Sequence, residues 1–574
     1  MKILGLSGMA HDAAAAVIVD GEVVSAVEEE RVTRIKNTWT FPKNSVKEAL
    51  RIANINANQL DIICFYWNDQ SALWPAILYE LKNSLNKRIP TLRRIASRLR
   101  AAFFQNQIKK MIIAEICDHQ KNCSIPTIFF VDHHSSHIAH SFYSSNFESC
   151  AGLVIDGRGE YAAITGFDCS QQNLRKLYQI NMPHSLGYIY GAVTQHLGFR
   201  PISDEYRIMG LAPYGKPDEK LQVFFDSLIQ SKHPFHIGVN LQYCNYQYNE
   251  KLDAPWFNNE VINSLGSSRI SDEEITDHHA NIAFALQKKL EHSILTLVSG
   301  IKNITKNENL VLGGGVAMNS VCNNIVFEQS NFKNIFVPPA PSDQGCAIGS
   351  ALYIYYKYNH ATTRPNIQSP YLGPSYSNEQ IKDTLDNYKL LYSEYPSLDL
   401  IAEKIAEGKI CGFFQGQMEF GPRALGNRSI LADPRIKSMR DKINQAVKFR
   451  EEFRPFAATI LYDKMNDFTT KPVDSPYMSF VSKVKLDKQA LIPAVVHIDG
   501  TCRFQTLKPS ENPLYYQLIE SFFKLTGIPL ILNTSFNVKG EPIVMSPSDA
   551  IRCFFSTGLD CLVIGKFLVE KTAI

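Results

Sequence analysis

Residues 3–20 read ILGLSGMAHDAAAAVIVD, and a stretch of the same design, GLVIDGRGEYAAITGF, occupies residues 152–167. Each consists of an apolar run, a turn with glycine and an acidic residue, and a second apolar run. Such runs bounded by turn residues predict the two strands of a β-hairpin. The turns contain Asp12 and Asp156, and backbone amides beside a carboxylate suit a phosphate group and its cation. The sequence therefore predicts two similar halves, each beginning with a hairpin suited to phosphate.

Paired hairpins of this form are similar to those that begin both halves of actin-like and sugar-kinase-like ATPases. A third glycine-rich turn, Gly313-Gly314-Gly315, follows the apolar run Asn309–Leu312 and leads to Asn319. Glycines after a buried strand let the backbone approach a ligand and present N–H groups at a helix start. The turn matches neither the Walker loop nor Gly-x-Gly-x-x-Gly. Alternating strands and helices elsewhere indicate an α/β protein, although such hairpins also arise by chance.

The composition is that of an ordinary globular protein. The chain has 574 residues, which is too long for one core, so two or three domains are expected. A net charge of only +3 argues against nucleic acid as a partner. The longest uncharged stretch, residues 182–199, contains proline and histidine and is a poor membrane span. Residues 1–6 are expected to form a core strand and not a signal peptide. Scattered cysteines without a Cys-x-x-Cys pair fit a reducing, cytoplasmic location.

Proline and glycine cluster between residues 359 and 377, which predicts a domain junction there. A new helix over residues 399–407 and a strand over residues 410–414 follow. The first domain is predicted to span residues 1–362, with halves at about 1–150 and 151–362. A linker follows at residues 363–377, and the second domain spans residues 378–574.

Residues 81–114 contain nine Lys or Arg and no acidic residue. Arg93, Arg94, Arg98 and Arg100 fall on a helical pattern with apolar residues, which could face a membrane, nucleic acid or an anionic substrate. A solvated amphipathic helix explains the pattern equally well. The sequence leaves the role of this segment open.

The stretch Asp132 to His140 is dense in histidine. His133 and His137 are four residues apart, so on a helix both rings project from one face and can share a metal ion. Asp343, in a proline-rich loop after the glycine turn, is the best candidate for a third ligand. Two histidines and one carboxylate suit iron or zinc. A histidine pair on a helix can also be purely structural.

A second cluster of charges lies between residues 419 and 454, beside glycines and prolines. Arginine forks bind oxyanions through two hydrogen bonds, and lysine adds a point charge. A polar patch follows the apolar run 528–532. These groups predict a site for a small phosphorylated substrate, although a basic surface loop with salt bridges would look similar. The residues are Arg423, Arg428, Lys448, Arg450, Arg454, Asn533, Ser535 and Asn537.

Taken in order, the motifs resemble those of the NodU/CmcH family of O-carbamoyltransferases over nearly the whole chain. Any one motif alone would be weak, but their order is specific. Two points differ or do not align: Ser135-Ser136, where many relatives have an apolar and a small residue, and residues 81–114. The matching blocks are residues 11–14, 29–31, 132–134, 156–157, 205–215, 313–315, 342–345, 421–428, 499–506 and 533–537.

The resemblance implies a duplicated actin-like domain of the threonylcarbamoyl-transfer (TsaD) type, followed by a YrdC-like α/β domain. In the first domain it implies metal ligands His133, His137 and Asp343. Carbamoyl-adenylate is expected to bind there, and His11 or Asp12 is expected to take the proton of the acceptor hydroxyl. His11 could instead be a turn residue. The residues expected to bind carbamoyl-adenylate are Asp156, Gly157, Gly313, Gly314, Gly315 and Asn319.

In the second domain the resemblance implies that a Lys-x-Arg pair and a later Ser-x-Asn pair form the site of adenylate synthesis. Lys448-Phe449-Arg450 and Ser535-Phe536-Asn537 match these two motifs. Carbamoyl phosphate and ATP with Mg²⁺ would give carbamoyl-adenylate. Lys448 and Arg423 are the expected catalytic residues. The residues expected to bind the two substrates are Arg423, Arg428, Lys448, Arg450, Arg454, Arg503, Asn533, Ser535 and Asn537.

The implied partners are carbamoyl phosphate and a small-molecule hydroxyl acceptor, such as a sugar or natural product, without nucleic acid. The sequence leaves the acceptor, the metal and the oligomeric state open, with a homodimer favoured. Two other functions stay open as well. An actin-fold kinase would release ADP and leave the second domain without a role, and a threonylcarbamoyl-type tRNA-modifying enzyme would need threonine and bicarbonate.

Overall fold

The computed structural model describes residues 1–70, 73–74, 77–78, 104–117, 125–171, 173–247, 251–359, 369–395 and 397–571. The arginines at 93, 94, 98 and 100, and residues 363–368 of the predicted linker, lie outside the described residues. The chain forms two compact units. The first comprises Met1–Ala26 and Trp39–Gln368, and the second comprises Val27–Thr38 and Ser369–Ile574.

The first unit contains two five-stranded sheets that share one topology. In each, a central strand pairs antiparallel with the next strand of a hairpin and parallel with a strand from later in the chain. The orders are β3-β2-β1-β4-β5 and β8-β7-β6-β11-β12. The strands of the first sheet are β1 (Lys2–Ser7), β2 (Ala14–Val19), β3 (Glu22–Glu28), β4 (Ile62–Phe65) and β5 (Thr127–Phe130). Those of the second are β6 (Ser149–Ile155), β7 (Ala162–Ser170), β8 (Asn173–Asn181), β11 (Asn309–Gly313) and β12 (Asn334–Phe336). A separate hairpin is formed by β9 (Ile229–His233) and β10 (His236–Val239).

The repeated topology confirms the duplicated, actin-like first unit expected from the sequence. The two hairpins β1–β2 and β6–β7 are those predicted from the repeated pattern, and their turns carry Asp12 and Asp156. Strands β1, β2 and β6 are buried along almost their whole length. Strands covered on both faces read as continuous apolar runs, which is why these hairpins were visible in the sequence.

Helices pack against both sheets, and one close contact between helices matters for the site. A Cβ atom at Gly349 would lie 1.8 Å from the carbonyl oxygen of Ser136, so only glycine permits this approach. The contact seats the helix Gly345–Asn359 on the helix His133–Tyr143. Among the α-helices of the first unit are Lys43–Ile52, His133–Tyr143, Leu186–His196, Glu205–Leu211, Glu219–Leu228, Ile262–Leu265, Asp277–Thr305, Ser320–Gln329 and Gly345–Asn359. Its shorter helical turns are Ala57–Gln59, Ile113–Cys117, Ala212–Tyr214, Leu241–Tyr243, Asn259–Val261 and Gly315–Met318.

The second unit is built on one mixed sheet of nine strands, in the order β13-β21-β20-β14-β15-β19-β16-β18-β17. This confirms the α/β class of the unit that the resemblance describes as YrdC-like. Its strands are β13 (Ser393–Glu394), β14 (Cys411–Phe414), β15 (Arg428–Ala432), β16 (Ala457–Leu461), β17 (Val481–Lys483), β18 (Thr501–Leu507), β19 (Leu530–Ser535), β20 (Cys561–Ile564) and β21 (Phe567–Glu570).

The central strands β14, β15 and β16 are buried at every residue, and the helices cover them. Their side chains form one continuous apolar core with those of the helices. The α-helices are Glu29–Thr33, Asn378–Asn387, Leu398–Ala406, Met439–Ile443, Met465–Phe468, Leu486–Gln489, Pro513–Thr526 and Pro547–Phe555, with shorter turns at Asn444–Lys448 and Tyr462–Lys464.

Residues 27–38, which we call the strap, belong to the second unit. Arg31 donates a hydrogen bond to the carbonyl oxygen of Gly421 at 2.8 Å, and Arg34 donates one to that of Ile543 at 2.6 Å. A contiguous boundary drawn from proline and glycine could not reveal this, because the contacts join residues hundreds of positions apart.

Candidate functional site

The Lys-x-Arg and Ser-x-Asn motifs of the second unit meet in space. Lys448 ends the helical turn Asn444–Lys448, and Ser535 ends β19. The ammonium nitrogen of Lys448 lies 3.2 Å from Oγ of Ser535, 3.0 Å from the carbonyl oxygen of Asn537 and 2.8 Å from its Oδ1. It also donates to the carbonyl oxygen of Ser535. Lys448 is 5% exposed, so the motifs enclose a buried positive charge.

Further cations gather around this lysine. Arg450 donates from Nε to Oδ1 of Asn444 at 2.8 Å, and its guanidinium lies 4.2 Å from the ring centroid of Phe456. Arg454 forms an ion pair with Glu451 at 3.7 Å. Burial, followed by the charges of Arg450 and Arg454, holds the pKa of Lys448 well below its usual range. Buried cations that repel one another bind an anion favourably, because it offsets both the burial and the repulsion.

Arg423 and Arg503 extend the cationic cluster. Arg503 lies on β18 in register with Ala457 of β16, which in turn pairs with Asn533 of β19. Burial, followed by the charge of Arg503, holds the pKa of Arg423 well below its usual range. Burial lowers the pKa of Arg503 to about 10. Both residues are partly buried, and their positive charges repel each other.

Arg428 does not fit the role of a substrate-binding residue, and that prediction is corrected. Its side chain is fully buried, and its guanidinium lies 3.8 Å from the ring centroid of Phe414. The nitrogens donate to carbonyl oxygens of the chain, among them those of Asn427 at 2.9 Å and Pro374 at 3.1 Å. With both terminal nitrogens donating to backbone carbonyl oxygens, Arg428 holds the loops around the site together.

The side chain of Asn533 is buried and bonded to neighbouring residues of the chain. It is 1% exposed, and its Nδ2 donates to Oγ1 of Thr459 at 3.0 Å and to the carbonyl oxygen of Ala424 at 3.2 Å. Ala424 is the residue after Arg423. The prediction that Asn533 binds nucleotide is therefore revised: its side chain supports the loop that carries Arg423.

In the first unit, the predicted metal ligands converge. The Nε2 atoms of His133 and His137 are 3.1 Å apart, and Oδ1 of Asp343 lies 3.6 Å from each of them. His133 begins a helix capped by Asp132, whose Oδ1 accepts the backbone N–H of Ser135 at 2.9 Å. The side chains of His133, His137 and Asp343 are buried. The helix thus presents both imidazoles to one point, as the four-residue spacing predicted.

Asp156, which the resemblance assigns to carbamoyl-adenylate binding, lies beside these three residues. Oδ2 of Asp156 lies 2.8 Å from Nε2 of His133 and 3.4 Å from Nε2 of His137. Burial raises the pKa of Asp156, but hydrogen bonds from His133 and His137 outweigh it and hold that pKa well below its usual range. The ligand-type atoms of His133, His137, Asp156 and Asp343 all lie within 4.8 Å of one another.

This donor set fits a divalent metal ion. Two imidazole nitrogens and two carboxylate oxygens suit iron or zinc. The thiol of Cys346 also lies near the two histidines. Burial raises the pKa of Cys346 to about 12, which favours the neutral thiol over the thiolate that binds metals. The carboxylates are therefore the better third and fourth ligands.

The glycine-rich turn is used differently from the prediction. Gly314 has φ of +87°, and a Cβ there would lie 2.3 Å from the carbonyl oxygen of Ile155, so the position requires glycine. Its N–H donates to Pro341, and the N–H of Gly315 donates to Oδ1 of Asp156 at 3.0 Å. These two amides thus hold the metal-site loops, and we correct the expectation that both are presented to a ligand.

The remaining predicted residues of the first unit lie around the same turns. Gly313 ends β11, and a Cβ there would lie 2.9 Å from Oγ of Ser141. The carbonyl oxygen of Gly157 accepts a hydrogen bond from Ser185 at 2.6 Å. Asn319 caps the helix Ser320–Gln329, with Oδ1 accepting the N–H of Cys322 at 3.0 Å. These contacts account for the shape of the loops.

His11 and Asp12 form an ion pair in the β1–β2 turn, with Nδ1 of His11 at 3.0 Å from Oδ2 of Asp12. Burial lowers the pKa of His11, but the charge and hydrogen bond of Asp12, together with the charges of Asp343 and Glu205, outweigh it and raise that pKa to about 9. Below this pH the imidazole is protonated, and the carboxylate of Asp12 is the group of the pair able to accept a proton.

Among the residues that the structure describes, none of the helices is long and apolar enough to cross a membrane.

Comparisons with known proteins cover nearly the whole chain. Residues 2–352 match the family model described as the carbamoyltransferase N-terminus, and residues 402–571 match that of the carbamoyltransferase C-terminus. An uncharacterised protein of Synechocystis, sll1178, is 37% identical over all of this chain and 97% of its own. Nodulation protein NolNO of Sinorhizobium fredii is 34% identical over 98% of this chain and 79% of its own.

Among solved structures, component A of the (R)-2-hydroxyglutaryl-CoA dehydratase of Acidaminococcus fermentans is 14% identical. The alignment covers 62% of this chain and 98% of that one, with a TM-score of 0.34. A likeness of this size says nothing about what the chain does.

Proposed function

The chain belongs to the carbamoyltransferase family, and from this premise we propose that it is an ATP-dependent O-carbamoyltransferase with two reaction centres. The second unit makes carbamoyl-adenylate from carbamoyl phosphate and ATP. The first unit transfers the carbamoyl group to a hydroxyl of a small molecule, such as a sugar or a natural product. The proposal places no nucleic acid among the substrates and the reaction in the cytoplasm.

One observation carries the proposal: the buried ammonium of Lys448 is held by Ser535 and Asn537, with arginines around it. A cluster of cations withdrawn from water suits substrates with several phosphates. ATP is a substrate of this kind, and carbamoyl phosphate adds one further phosphate to the same site. A single phosphate would not require cations spread from Lys448 to Arg503.

The proposed first step proceeds in two stages. Water cleaves carbamoyl phosphate to carbamate and phosphate, and a carbamate oxygen then attacks the α-phosphorus of ATP. The bond to the bridging oxygen breaks, pyrophosphate leaves with its electron pair, and carbamoyl-adenylate is formed. Little covalent chemistry falls to the protein, so catalysis depends on position and charge.

Within that scheme, Lys448 stabilises charge at the α-phosphate. Arg423, Arg450, Arg454 and Arg503 hold the leaving phosphates and carbamoyl phosphate. The carboxamide of Asn537 and hydroxyl of Ser535 fix the ammonium and contact the nucleotide, while Mg²⁺ accompanies ATP as part of the substrate.

The proposed second step takes place in the first unit. Carbamoyl-adenylate is bound near the turns that contain Gly157 and Gly313–Gly315 and near Asn319. Asp12 accepts the proton of the acceptor hydroxyl, and the protonated His11 holds the carboxylate in place at 3.0 Å. The acceptor oxygen forms a bond to the carbamoyl carbon, and AMP leaves.

His133, His137, Asp156 and Asp343 would hold an iron or zinc ion in that centre. When bound, such an ion supplies a Lewis acid for the carbonyl or phosphate oxygen of the bound adenylate. The N–H of Gly315 keeps Asp156 oriented through its other oxygen, and Tyr66 lies 3.4 Å from the second oxygen of Asp343. These contacts fix the carboxylates for that role.

Product analysis tests the proposal against the alternatives. The purified enzyme is incubated with ATP, Mg²⁺, carbamoyl phosphate and a small-molecule extract. The proposal predicts AMP, pyrophosphate and a metabolite heavier by one carbamoyl group, detected by mass spectrometry. Formation of ADP would indicate a kinase. A strict requirement for threonine and bicarbonate would indicate a threonylcarbamoyl-type tRNA enzyme.

A further inference from the structure

The strap, residues 27–38, carries the block Glu29-Glu30-Arg31, to which the proposed reaction gives no role. Arg31 is 4% exposed and donates from Nε to Oε2 of Glu28 at 2.6 Å and from Nη2 to the carbonyl oxygen of Gly421 at 2.8 Å. Oε1 of Glu28 accepts the N–H of the same glycine at 2.7 Å. Both polar groups of Gly421 are thus held by one buried ion pair, two residues before Arg423.

Arg34 holds the other loop of the site in a similar way. It donates to the carbonyl oxygens of Pro542 at 2.7 Å and Ile543 at 2.6 Å. It also lies 3.4 Å from Asp549. The loop that it binds begins at Asn537, whose Nδ2 donates to the carbonyl oxygen of Glu541 at 2.7 Å. The position of Asn537 therefore depends on a loop that Arg34 fixes.

Two residues of the strap adopt left-handed backbone conformations. The helix Glu29–Thr33 ends at Arg34, which has φ of +61°, and Asn37 has φ of +53°. Residues other than glycine adopt this left-handed region rarely, and an arginine there needs contacts that hold it. Asn37 is held by its N–H, which donates to Oε2 of Glu30 at 2.9 Å.

Arginine suits both positions better than lysine. Its planar fork donates in two directions at once, whereas an ammonium group is a point charge on a flexible stem. Arg31 uses the fork to join a carboxylate to a carbonyl oxygen, and Arg34 uses it to join two successive carbonyl oxygens.

We propose that Arg31 and Arg34 are positioning residues of the adenylate-forming site: Arg31, with Glu28, sets the loop that carries Arg423, and Arg34 sets the loop that carries Asn537. The proposal rests on the function proposed above. It makes a segment from the start of the chain an essential part of a site whose substrate-binding residues all come from positions beyond 420.

The test uses the full-length enzyme with Arg31→Ala, Arg34→Ala, Arg31→Lys and Arg34→Lys. Arg51→Ala is the matched control, because Arg51 is an exposed arginine of the first unit paired with Glu48 three residues earlier. The measurement is carbamoyl-phosphate-dependent release of pyrophosphate from ATP, with kcat and KM determined separately. Each alanine variant is assayed with and without millimolar guanidinium ion, and its thermal unfolding is recorded.

Both alanine variants should lose about 100-fold in kcat/KM, because small displacements of catalytic groups have effects of this size. The lysine variants should recover little of this loss, and guanidinium ion should restore a large part of it in Arg31→Ala and in Arg34→Ala. If kcat/KM of Arg31→Ala and Arg34→Ala were no lower than that of Arg51→Ala, the proposal would be overturned. A loss that guanidinium does not restore in a protein that has also lost its unfolding transition would overturn it as well, since the arginines would then act in folding.

Failure of the function proposed above gives a different result. In that case the wild-type enzyme itself would release no pyrophosphate in response to carbamoyl phosphate, and both proposals would fall. Normal release by the wild type, with no defect in the arginine variants, would overturn only the positioning role.

Discussion

The ammonium nitrogen of Lys448 lies 2.8 Å from Oδ1 of Asn537, although the two residues are 89 positions apart in the chain. Lys448 ends the helical turn Asn444–Lys448, and Asn537 lies two residues beyond the end of β19. The proposed adenylate-forming site is thus built where a helical turn meets the end of a strand, and the amino group of Lys448 is buried there.

Removing Asp156 should weaken metal binding as strongly as removing a histidine. Asp156→Asn keeps the size of the side chain but replaces the carboxylate with a neutral amide, which is a poorer metal ligand. We expect at least about tenfold lower metal affinity, and a similar loss in His137→Ala combined with Asp343→Ala. Metal content of the purified proteins and titration with a chelator measure this.

His134→Gln is the matched control for these metal-site variants. His134 lies on the same helix, but its ring bonds to Oγ1 of Thr165 at 2.7 Å instead of pointing to the cluster. Its metal content should equal that of the wild type. Unchanged metal content in Asp156→Asn would mean that this carboxylate is not a ligand.

Arg428→Met should reduce stability more than it affects substrate binding. The substitution removes the donors to several buried carbonyl oxygens and is expected to lower the free energy of unfolding by about 3 kcal/mol. Its KM for carbamoyl phosphate should change less than that of Arg423→Met. Urea unfolding and steady-state kinetics measure the two effects, and a KM defect as large as that of Arg423→Met would restore Arg428 to the substrate-binding set.

The His11–Asp12 pair should make stability depend on pH. Because the pKa of His11 is raised from 6.5 to about 9, its contribution is fully present below pH 6.5 and is lost as the pH rises through 9. For partly exposed side chains we expect about 2 kcal/mol. Unfolding of the wild type and His11→Asn at pH values on both sides of this window tests it. A stability difference that does not change with pH would contradict the ion pair.

Much of the fold could be predicted from local pattern. The hairpins β1–β2 and β6–β7 were visible because buried strands form apolar runs and glycine marks their turns. The His133–His137 pair was visible because helical spacing places both rings on one face. The meeting of Lys448 with Ser535 and Asn537 came from the family resemblance, since no local pattern relates residues that lie so far apart.

Other features depended on contacts that a sequence does not display. The sequence predicts the same substrate-binding role for Arg428 as for Arg423 and Lys448. Nothing in the local sequence shows which of these side chains donates to backbone carbonyl oxygens instead. The turn of Asp156 resembles that of Asp12 in the sequence and therefore predicts contact with carbamoyl-adenylate, whereas its carboxylate lies 2.8 Å from Nε2 of His133. Nothing in the local sequence of the strap shows that Arg31 and Arg34 bind loops hundreds of positions away.

Carbamoyl-phosphate-dependent release of pyrophosphate from ATP by Lys448→Ala tests the central claim most directly. Lys442→Ala serves as control, since Lys442 is a half-exposed lysine six positions earlier that lies 3.6 Å from Asp560. The account predicts that Lys448→Ala loses the release and Lys442→Ala keeps it. Undiminished release by Lys448→Ala would contradict the placement of adenylate formation in the second unit.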